Sequence, residues 1–248
     1  MTTVLKLGGS VITEKEGVEK IHDPRLGKAV GMLADADVSR LVLVHGGGSF
    51  GHHHASKYDV STTDGTHDPD AVLDIHEAMK RLNEVVVHRL NKAGVPAVPV
   101  HTLSTASRDA EGALTLCTTA VETLLAEGFV PVLHGDVIAH EGKGVTVVSG
   151  DEIVTALAQS LDADRVGICS GVPGVLDESK NVITEITDFE SVAPALGGSE
   201  TTDVSGGMAQ KVRELLELGA PADIFGLDGL AAFLAGEAPG TRIDGRGD

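Results

Sequence analysis

Residues 45 to 55, HGGGSFGHHHA, place glycines, one serine and four histidines directly after the apolar run LVLV at 41 to 44. Glycines let the backbone come close to a ligand, and amides at the start of a helix donate hydrogen bonds to phosphate groups. The spacing is that of a phosphate-binding P-loop, but histidines stand where that loop has its lysine and hydroxyl residue. The stretch therefore predicts either an anion-binding loop or a glycine-rich turn without chemistry, and on these residues alone both stay open.

Ser49 suggests a different chemistry, because Gly47, Ser49 and Gly51 have the GxSxG spacing of a serine-hydrolase nucleophile. In those enzymes the HGGG oxyanion loop and the nucleophile turn are separate, whereas here they share residues. The run of three histidines suggests a metal, but consecutive side chains diverge on a helix or strand and do not easily converge on one ion. We interpret His53 and His54 as structural or solvent-facing.

Lys6 lies within the otherwise apolar run VLKL. A lone buried lysine is costly unless an anion or a carboxylate pairs with it, and the alternative is an edge-strand lysine that reaches solvent. Lys211 falls in the first turn of a predicted helix, where it could complete an anion pocket or simply be solvated.

Asp151 opens the helical pattern EIVTALAQSL after a Ser-Gly pair. It could cap that helix or orient two lysines, and the local sequence favours neither. Asp136 and Asp203 are weaker candidates, because loop aspartates often only bind nearby backbone amides.

The composition limits the class of protein. The 248 residues are 42% hydrophobic and 2% aromatic, without Trp, so Val, Leu, Ile and Ala must build the core, which suits buried parallel strands. A net charge of -18 disfavours nucleic acid as a partner and is consistent with a cytoplasm of high salt content. With no apolar run long enough for a membrane span, and with Cys117 and Cys169 read as reduced core thiols, a cytoplasmic protein is predicted.

Apolar runs alternate with helical patterns, which predicts a single α/β domain with an open, mainly parallel sheet sandwiched between helices. The runs read as strands lie at 4 to 7, 41 to 44, 95 to 100, 129 to 133, 145 to 148, 166 to 169 and 222 to 225. Helices are predicted from 23, across 72 to 90, over 119 to 127, and from about 152 and 208. Glycine-bearing loops follow most strands, so they should meet at the carboxyl edge of the sheet.

One long helix carries an apolar stripe at intervals of three and four residues. We predict that this stripe packs onto the sheet, with a lining for an apolar ligand tail as the alternative. The stripe consists of Val72, Ile75, Met79, Leu82, Val86 and Leu90.

Taken together, five segments resemble the amino-acid kinase superfamily. They are KLGGSVIT at 6 to 13, HGGGSFGH at 45 to 52, HGDV at 134 to 137, SGDEI at 149 to 153 and DVSGGMAQK at 203 to 211. A histidine directly after GGGSFG resembles the branch that phosphorylates isopentenyl phosphate and the related fosfomycin kinases. The resemblance implies an αβα fold with an acceptor-binding part at roughly 1 to 160 and a nucleotide-binding part at roughly 161 to 248. It also implies ATP as phosphoryl donor, Mg2+ on the nucleotide, isopentenyl phosphate as acceptor and a homodimer.

The resemblance also implies roles for individual residues. Lys6 and Lys211 would neutralise the transferred group, and Asp151 would hold both lysines. The residues expected at the acceptor are His52, Lys15, Gly47 and Gly150. The residues expected at the nucleotide, besides the two lysines, are Gly8, Gly9, Ser10, Gly48, Gly174 and Gly207.

The segment SGVPGVLD at 170 to 177 departs from the family pattern, since Gly171 and Pro173 replace two acidic residues of many relatives. That departure leaves the nucleotide contacts of this segment open. The functions that stay as alternatives are a fosfomycin-type kinase, a nucleotide- or oxyanion-binding protein without activity, and a hydrolase that uses Ser49.

Overall fold

The computed structural model describes residues 1 to 196 and 207 to 246. Within these ranges twelve strands form two sheets, one of eight strands and one of four. The strands are β1 (Thr3–Leu7), β2 (Leu41–His45), β3 (Ala97–Pro99), β4 (Ala106–Arg108), β5 (Leu114–Leu116), β6 (Val130–His134), β7 (Asp136–His140), β8 (Gly144–Val148), β9 (Arg165–Ser170), β10 (Glu185–Ile186), β11 (Ala222–Gly226) and β12 (Thr241–Ile243). The α-helices are α1 (Gly9–Ile12), α2 (Asp23–Ala34), α3 (Gly48–Lys57), α4 (Pro69–Lys92), α5 (Thr119–Ala126), α6 (Gly150–Ser160), α7 (Ala193–Leu196), α8 (Gly207–Leu216) and α9 (Leu230–Leu234).

The large sheet has the order β10-β12-β11-β9-β1-β2-β6-β3, with β1 near its centre. All neighbouring strands run parallel except β11 and β12, which confirms the predicted mainly parallel sheet. Leu7 is in register with His45 of β2 and with Cys169 of β9, and His45 is in register with His134 of β6. The carboxyl ends of these four strands therefore lie at one level, and the loops that follow them meet there.

Two apolar clusters cover the two faces of this sheet. One cluster contains Val4 with residues of α5, α6 and α8, and the other contains Leu5 with residues of α2, α4 and α9. Because successive side chains of a strand point to opposite faces, the alternation along β1 places neighbouring residues in different clusters. The sheet is thus sandwiched between helices, as the sequence predicts.

The small sheet has the order β5-β4-β7-β8 and corrects the prediction of a single sheet. The chain leaves the large sheet at the end of β6, and β7 begins after Gly135 alone. The apolar run at 145 to 148 belongs to β8, which pairs with β7 in the antiparallel direction. The strands β4 and β5 have three residues each, too few to give a clear alternating pattern.

Helix α4 confirms the predicted packing onto the sheet for the part of the apolar stripe from Met79 to Leu90. Asp68 caps the helix by accepting a hydrogen bond from the Asp70 amide, and Pro69 occupies the first position. Met79 and Val86 are fully buried in the cluster on the sheet. Leu82 and Leu90 lie in the same cluster, whereas Ile75 and partly buried Val72 belong to a separate cluster beside the small sheet, where the tail-lining alternative stays open.

The two cysteines differ in their environment. Cys169 at the end of β9 is buried, and burial raises the pKa of its thiol to about 12. Cys117 is exposed, which corrects the expectation that both thiols lie in the core. Across the described ranges, no helix combines the length and apolar character that a membrane span requires.

Candidate active site

Lys6 is the charged residue of β1, and its residue surface is only 7% exposed. It lies two positions after Val4, so its side chain points to the face covered by α6. There its Nζ lies 2.7 Å from Oδ2 of Asp151. The partner that a buried lysine requires is therefore a carboxylate of the neighbouring helix.

Asp151 stands in the first turn of α6 and does not cap that helix. Ser149 is the N-cap: its hydroxyl accepts from the Glu152 amide at 3.2 Å, and Glu152 accepts from the Ser149 amide at 2.8 Å. This capping box satisfies the helix start and leaves the Asp151 carboxylate available for the lysines. Burial alone would raise the pKa of Asp151, but the nearby charges of Lys6 and Lys211 lower it below its ordinary value.

Lys211 approaches the same carboxylate from α8. Its Nζ lies 3.8 Å from Oδ2 of Asp151, and its side chain is 18% exposed. One carboxylate oxygen thus faces two ammonium groups from elements that are 205 residues apart in the chain. The pair of lysines keeps an excess of positive charge at this point of an acidic molecule.

The first two glycine loops contact each other above the ends of β1 and β2. A methyl group on Gly9 would clash with the backbone nitrogen of Gly48, and one on Gly46 would lie 2.7 Å from the nitrogen of Gly9. The Gly8 amide donates to the Cys169 carbonyl at 2.8 Å, which ties the first loop to β9. Only glycine allows this backbone approach, so the loops form one surface of backbone atoms.

Gly48 opens α3 with a φ of 49°, a left-handed conformation that disfavours other residues. A methyl group there would clash with the side chain of Thr13. The Thr13 hydroxyl donates to the Gly9 carbonyl at 2.8 Å and accepts from the Ser49 amide at 3.1 Å. Thr13 therefore joins both loops, a role that sequence reasoning missed.

His52 and Ser49 both lie on α3 but differ in what they can do. His52 is exposed, one helical turn after Gly48 and therefore close to the contact between the loops. The Ser49 hydroxyl donates to the Lys20 carbonyl at 3.3 Å and accepts from the Lys20 amide at 3.2 Å. Ser49 thus binds backbone, and among residues 1 to 196 and 207 to 246 its hydroxyl shows no hydrogen bond to a histidine, which a hydrolase nucleophile needs.

His54 is buried and lies between two carboxylates, whereas His53 is exposed. Both placements agree with the interpretation of these histidines as structural or solvent-facing.

Gly47 belongs to the loop after β2, and Gly150 lies beside the end of that strand. A methyl group on Gly47 would lie 3.3 Å from the Met79 sulfur, and one on Gly150 would lie 3.1 Å from Cε of Lys6. The same position on Gly150 is 3.5 Å from the His45 carbonyl. The start of α6 is therefore packed directly beside Lys6 and the end of β2.

The loop after β9 adjoins the first glycine loop, since a methyl group on Gly171 would lie 3.0 Å from the Ser10 hydroxyl. Gly174 is buried, and the clash of any side chain there with Thr241 and Val182 accounts for the glycine by packing. Gly207 begins α8 with a φ of 66°.

The two remaining candidate residues are Lys15 and Asp203. Lys15 is exposed and lies three residues after the end of α1. The candidate Asp203 lies outside the described residues.

Histidines inside the sheet are a second feature that sequence reasoning missed. His45 and His134 end neighbouring strands, are fully buried, and stack with their ring centres 5.5 Å apart. Burial lowers the pKa of His45 to about 4 and lowers that of His134 well below its ordinary value. Both rings are therefore neutral near pH 7, and the cationic groups of the site remain the lysines.

Asp136 has a partner that the sequence did not indicate. Its Oδ1 accepts from the Val137 amide at 2.8 Å, the backbone role expected for a loop aspartate. Its Oδ2 lies 2.7 Å from Nδ1 of His76, on the long helix. Burial raises the pKa of Asp136, although the contact with His76 acts in the opposite direction. The pair ties α4 to the start of β7.

The arrangement suits a reaction between two anions. The two ammonium groups can neutralise the negative charge of a group that is transferred between the anions. The glycine loops offer backbone amides to phosphate oxygens. Across residues 1 to 196 and 207 to 246, no group of three or more His, Cys, Asp or Glu side chains is arranged to hold a metal ion. A divalent ion at this site would bind through oxygens of a bound nucleotide, as Mg2+ commonly does.

Comparison with known proteins gives a consistent result. The model of the amino acid kinase family matches residues 1 to 223. An isopentenyl phosphate kinase of Haloferax volcanii is 59% identical over 243 residues, which cover 98% of each chain. An isopentenyl phosphate kinase of Methanocaldococcus jannaschii is 31% identical over 260 residues, covering 98% of this chain and 99% of the relative.

Solved structures show the same fold. One, from work titled "X-ray structures of isopentenyl phosphate kinase", aligns with a TM-score of 0.83 at 27% identity and covers 98% of this chain and 99% of its own. The similarity therefore spans both the sheets and the loops that form the site.

Proposed function

The chain belongs to the amino acid kinase family, and on that premise we propose that it transfers the γ-phosphoryl group of ATP to isopentenyl phosphate. The products are isopentenyl diphosphate and ADP. The observation that carries this proposal is the contact of Lys6 and Lys211 with one oxygen of Asp151, beside two joined glycine loops. The names of the relatives from Haloferax volcanii and Methanocaldococcus jannaschii supply the acceptor.

The chemistry requires no strong general base. The second pKa of a phosphate monoester is about 6, so the attacking oxygen of the acceptor is mostly deprotonated at neutral pH. In the transfer that oxygen forms a bond to the γ-phosphorus while the bond from the γ-phosphorus to the β,γ-bridging oxygen breaks, and ADP leaves with that electron pair. What the protein must supply is alignment and neutralisation of charge.

The proposed roles come from the resemblance to the family, and the contact of Lys6 and Lys211 with Asp151 supports those of the three charged residues. Lys6 and Lys211 neutralise the transferred group, and Asp151 keeps both ammonium groups directed to it. His52 donates to the acceptor phosphate, with Lys15, Gly47 and Gly150 as further acceptor contacts. The proposed nucleotide contacts, besides the two lysines, are Gly8, Gly9, Ser10, Gly48, Gly174 and Gly207.

The hydrocarbon part of the acceptor needs apolar surface close to its phosphate. An apolar cluster of Val60, Ile75 and Val137 lies between α3, α4 and the small sheet. Ile75 is one helical turn from Met79, whose sulfur lies below Gly47. This cluster, with partly buried Val72 beside it, is the proposed neighbour of the acceptor tail.

Several finer features belong to the same proposal. Mg2+ bound to the nucleotide would offset phosphate charge, and residues from roughly 161 onward would bind that nucleotide while those to roughly 160 bind the acceptor. We propose a cytoplasmic homodimer. Its tests are light scattering for mass and fractionation of source cells for location.

Three other functions are weighed against this one. A fosfomycin-type kinase would share the lysines and differ in its acceptor. A binding protein without activity could lose both lysines, so their joint contact with Asp151 favours catalysis. The Ser49 hydrolase is disfavoured because that hydroxyl binds the backbone of Lys20.

The distinguishing experiment measures ADP formation by the purified chain with ATP and one acceptor at a time. The acceptors are isopentenyl phosphate, dimethylallyl phosphate and fosfomycin, each at low and high salt. We expect turnover to be highest with isopentenyl phosphate. Preference for fosfomycin, or absence of turnover with all three, would refute the proposal.

A further inference from the structure

A short hairpin at residues 13 to 21, called here the 13–21 hairpin, lies against the glycine loop. Thr13 and Ile21 form an antiparallel bridge, and the Glu14 amide donates to the Lys20 carbonyl at 2.9 Å. The exposed Lys15 directly follows Glu14 in this hairpin. An isolated two-stranded hairpin with so few hydrogen bonds of its own is marginally stable at best. Its position must therefore come from contacts with the rest of the protein.

Glu19 supplies the charged contacts of this hairpin. Its Oε2 accepts from Nε of Arg81 at 2.9 Å, its Oε1 accepts from Nη2 of Arg81 at 2.5 Å, and its Oε1 also lies 2.9 Å from Nε2 of His54. A two-point contact between a guanidinium and a carboxylate fixes direction as well as distance. The hairpin is therefore joined to both α3 and α4 through one side chain.

The backbone conformation of Glu19 also indicates that surrounding contacts hold this residue in place. Its φ is 51°, a left-handed conformation that costs a non-glycine residue about 1 kcal/mol and persists where surrounding contacts determine it. Next to it, the Lys20 amide and carbonyl both bind the Ser49 hydroxyl, in the first turn of α3. The hairpin is thus held at the start of the helix that carries His52.

His54 connects this contact to a second carboxylate. Its Nδ1 lies 3.0 Å from Oδ2 of Asp74, which also accepts from Nζ of Lys57 at 2.9 Å. The two ring nitrogens of His54 therefore contact two different carboxylates, one on the hairpin and one on α4. The hydrogen bond from Arg81 holds the pKa of Glu19 below its ordinary value, so this carboxylate is ionised near pH 7.

We propose that Glu19, held by Arg81 and His54, is a positioning residue that fixes the 13–21 hairpin and thereby places Lys15 against the acceptor phosphate. This inference rests on the proposed function, because it assigns Lys15 to that acceptor. In this role Glu19 does not contact a reacting atom. It acts through the backbone of the hairpin, while the contact of Lys6 with Asp151 is formed by other elements.

The kinetic test compares Glu19→Gln, Lys15→Ala and the double variant. We expect Glu19→Gln to raise KM for isopentenyl phosphate about tenfold with kcat changed less than about twofold. Lys15→Ala should raise KM to a similar extent. The double variant should then have a KM no higher than that of Lys15→Ala alone. Glu19→Asp keeps the charge and should restore part of the loss. The matched control is Glu77→Gln, which removes the exposed carboxylate 4.0 Å from Arg81 on α4 and should change little.

A second measurement does not depend on activity. Hydrogen exchange of the amides at 14 to 20 should be about tenfold faster in Glu19→Gln than in the wild type, and unchanged in Glu77→Gln. Unchanged exchange in Glu19→Gln, or losses that multiply in the double variant, would overturn the inference. A wild-type chain that does not phosphorylate isopentenyl phosphate would instead refute the proposed function, and with it the role given to Lys15.

Discussion

At the scale of single residues, one oxygen of Asp151 determines the direction of two ammonium groups. The need for a partner to Lys6 could be predicted, because a buried charge in an apolar strand must be compensated. The choice between capping and orienting could have been made as well. Ser149 and Glu152 have the spacing of a capping box, which assigns the cap to Ser149 and frees Asp151.

Replacing Lys6 by Met tests the role of this charge. We expect kcat to fall about 100- to 1000-fold, the usual cost of removing one donor that stabilises developing charge. The far-ultraviolet circular dichroism should stay that of the wild type. Lys28→Met is the matched control, since the Lys28 amine pairs with Asp228 at the surface. A kcat within about twofold of the wild type in Lys6→Met would contradict the proposed role.

Replacing Asp151 by Asn should affect stability as well as turnover. The change leaves the buried Lys6 amine without its carboxylate, which typically costs on the order of 3 kcal/mol of unfolding free energy. Because the folded pKa of Asp151 is lowered, its stabilising effect is present at neutral pH and is lost as pH falls through that pKa. Urea denaturation at neutral and acid pH should therefore show a smaller difference in Asp151→Asn than in the wild type. An equal difference would contradict the pairing.

At the scale of elements, the first two glycine loops pack against each other through their backbones. The alternation of strands and helices predicted the large sheet and the common edge of its loops. The small sheet could not be predicted, because its shortest strands have three residues and its pairing joins segments far apart in sequence. The partners of His54 are similarly hidden, since Glu19 and Asp74 lie 35 and 20 residues away.

Replacing Gly9 by Ala tests the contact between the loops. The added methyl group would clash with the Gly48 backbone, so we expect loss of turnover and destabilisation of about 1 to 3 kcal/mol. Gly27→Ala is the control, because nothing lies within 4 Å of a methyl group there, on the exposed face of α2. That control should stabilise the protein by about 0.5 to 1 kcal/mol. Equal effects of the two changes in thermal denaturation would contradict the contact.

At the scale of the whole molecule, acidity and buried histidines govern the response to solvent. The net charge of -18 could be read from composition, whereas the burial of His45 and His134 could not. These rings lie at strand ends that only the register of the sheet brings together. The interpretation of this charge as an adaptation to high salt stays a proposal.

Salt should stabilise a molecule of this charge. Screening shortens the reach of repulsion between surface carboxylates, from about 10 Å at about 0.1 M salt to about 3 Å at about 1 M. We therefore expect the midpoint of urea denaturation to rise over that range of KCl. A midpoint that does not change with KCl would contradict the proposal of adaptation to salt.

Acid should destabilise the fold through the buried histidines. The pKa of His45 is about 4 in the folded protein and 6.5 in its ordinary state, so the unfolded chain binds more protons between these values. The effect of His45 is therefore absent above pH 6.5 and destabilises the fold toward pH 4 by on the order of 3 kcal/mol. His45→Gln should make the dependence of unfolding free energy on pH shallower over this window. An unchanged slope would contradict the neutral, buried state of His45.

The most direct test follows the phosphorus atoms themselves. Phosphorus magnetic resonance of the purified chain with ATP, Mg2+ and isopentenyl phosphate should show ADP and isopentenyl diphosphate appearing together, in equal amounts. The Lys6→Met variant should show neither product on the same timescale. Release of inorganic phosphate in place of the diphosphate, or ATP that stays intact beside the acceptor, would contradict phosphoryl transfer between two bound anions at this site.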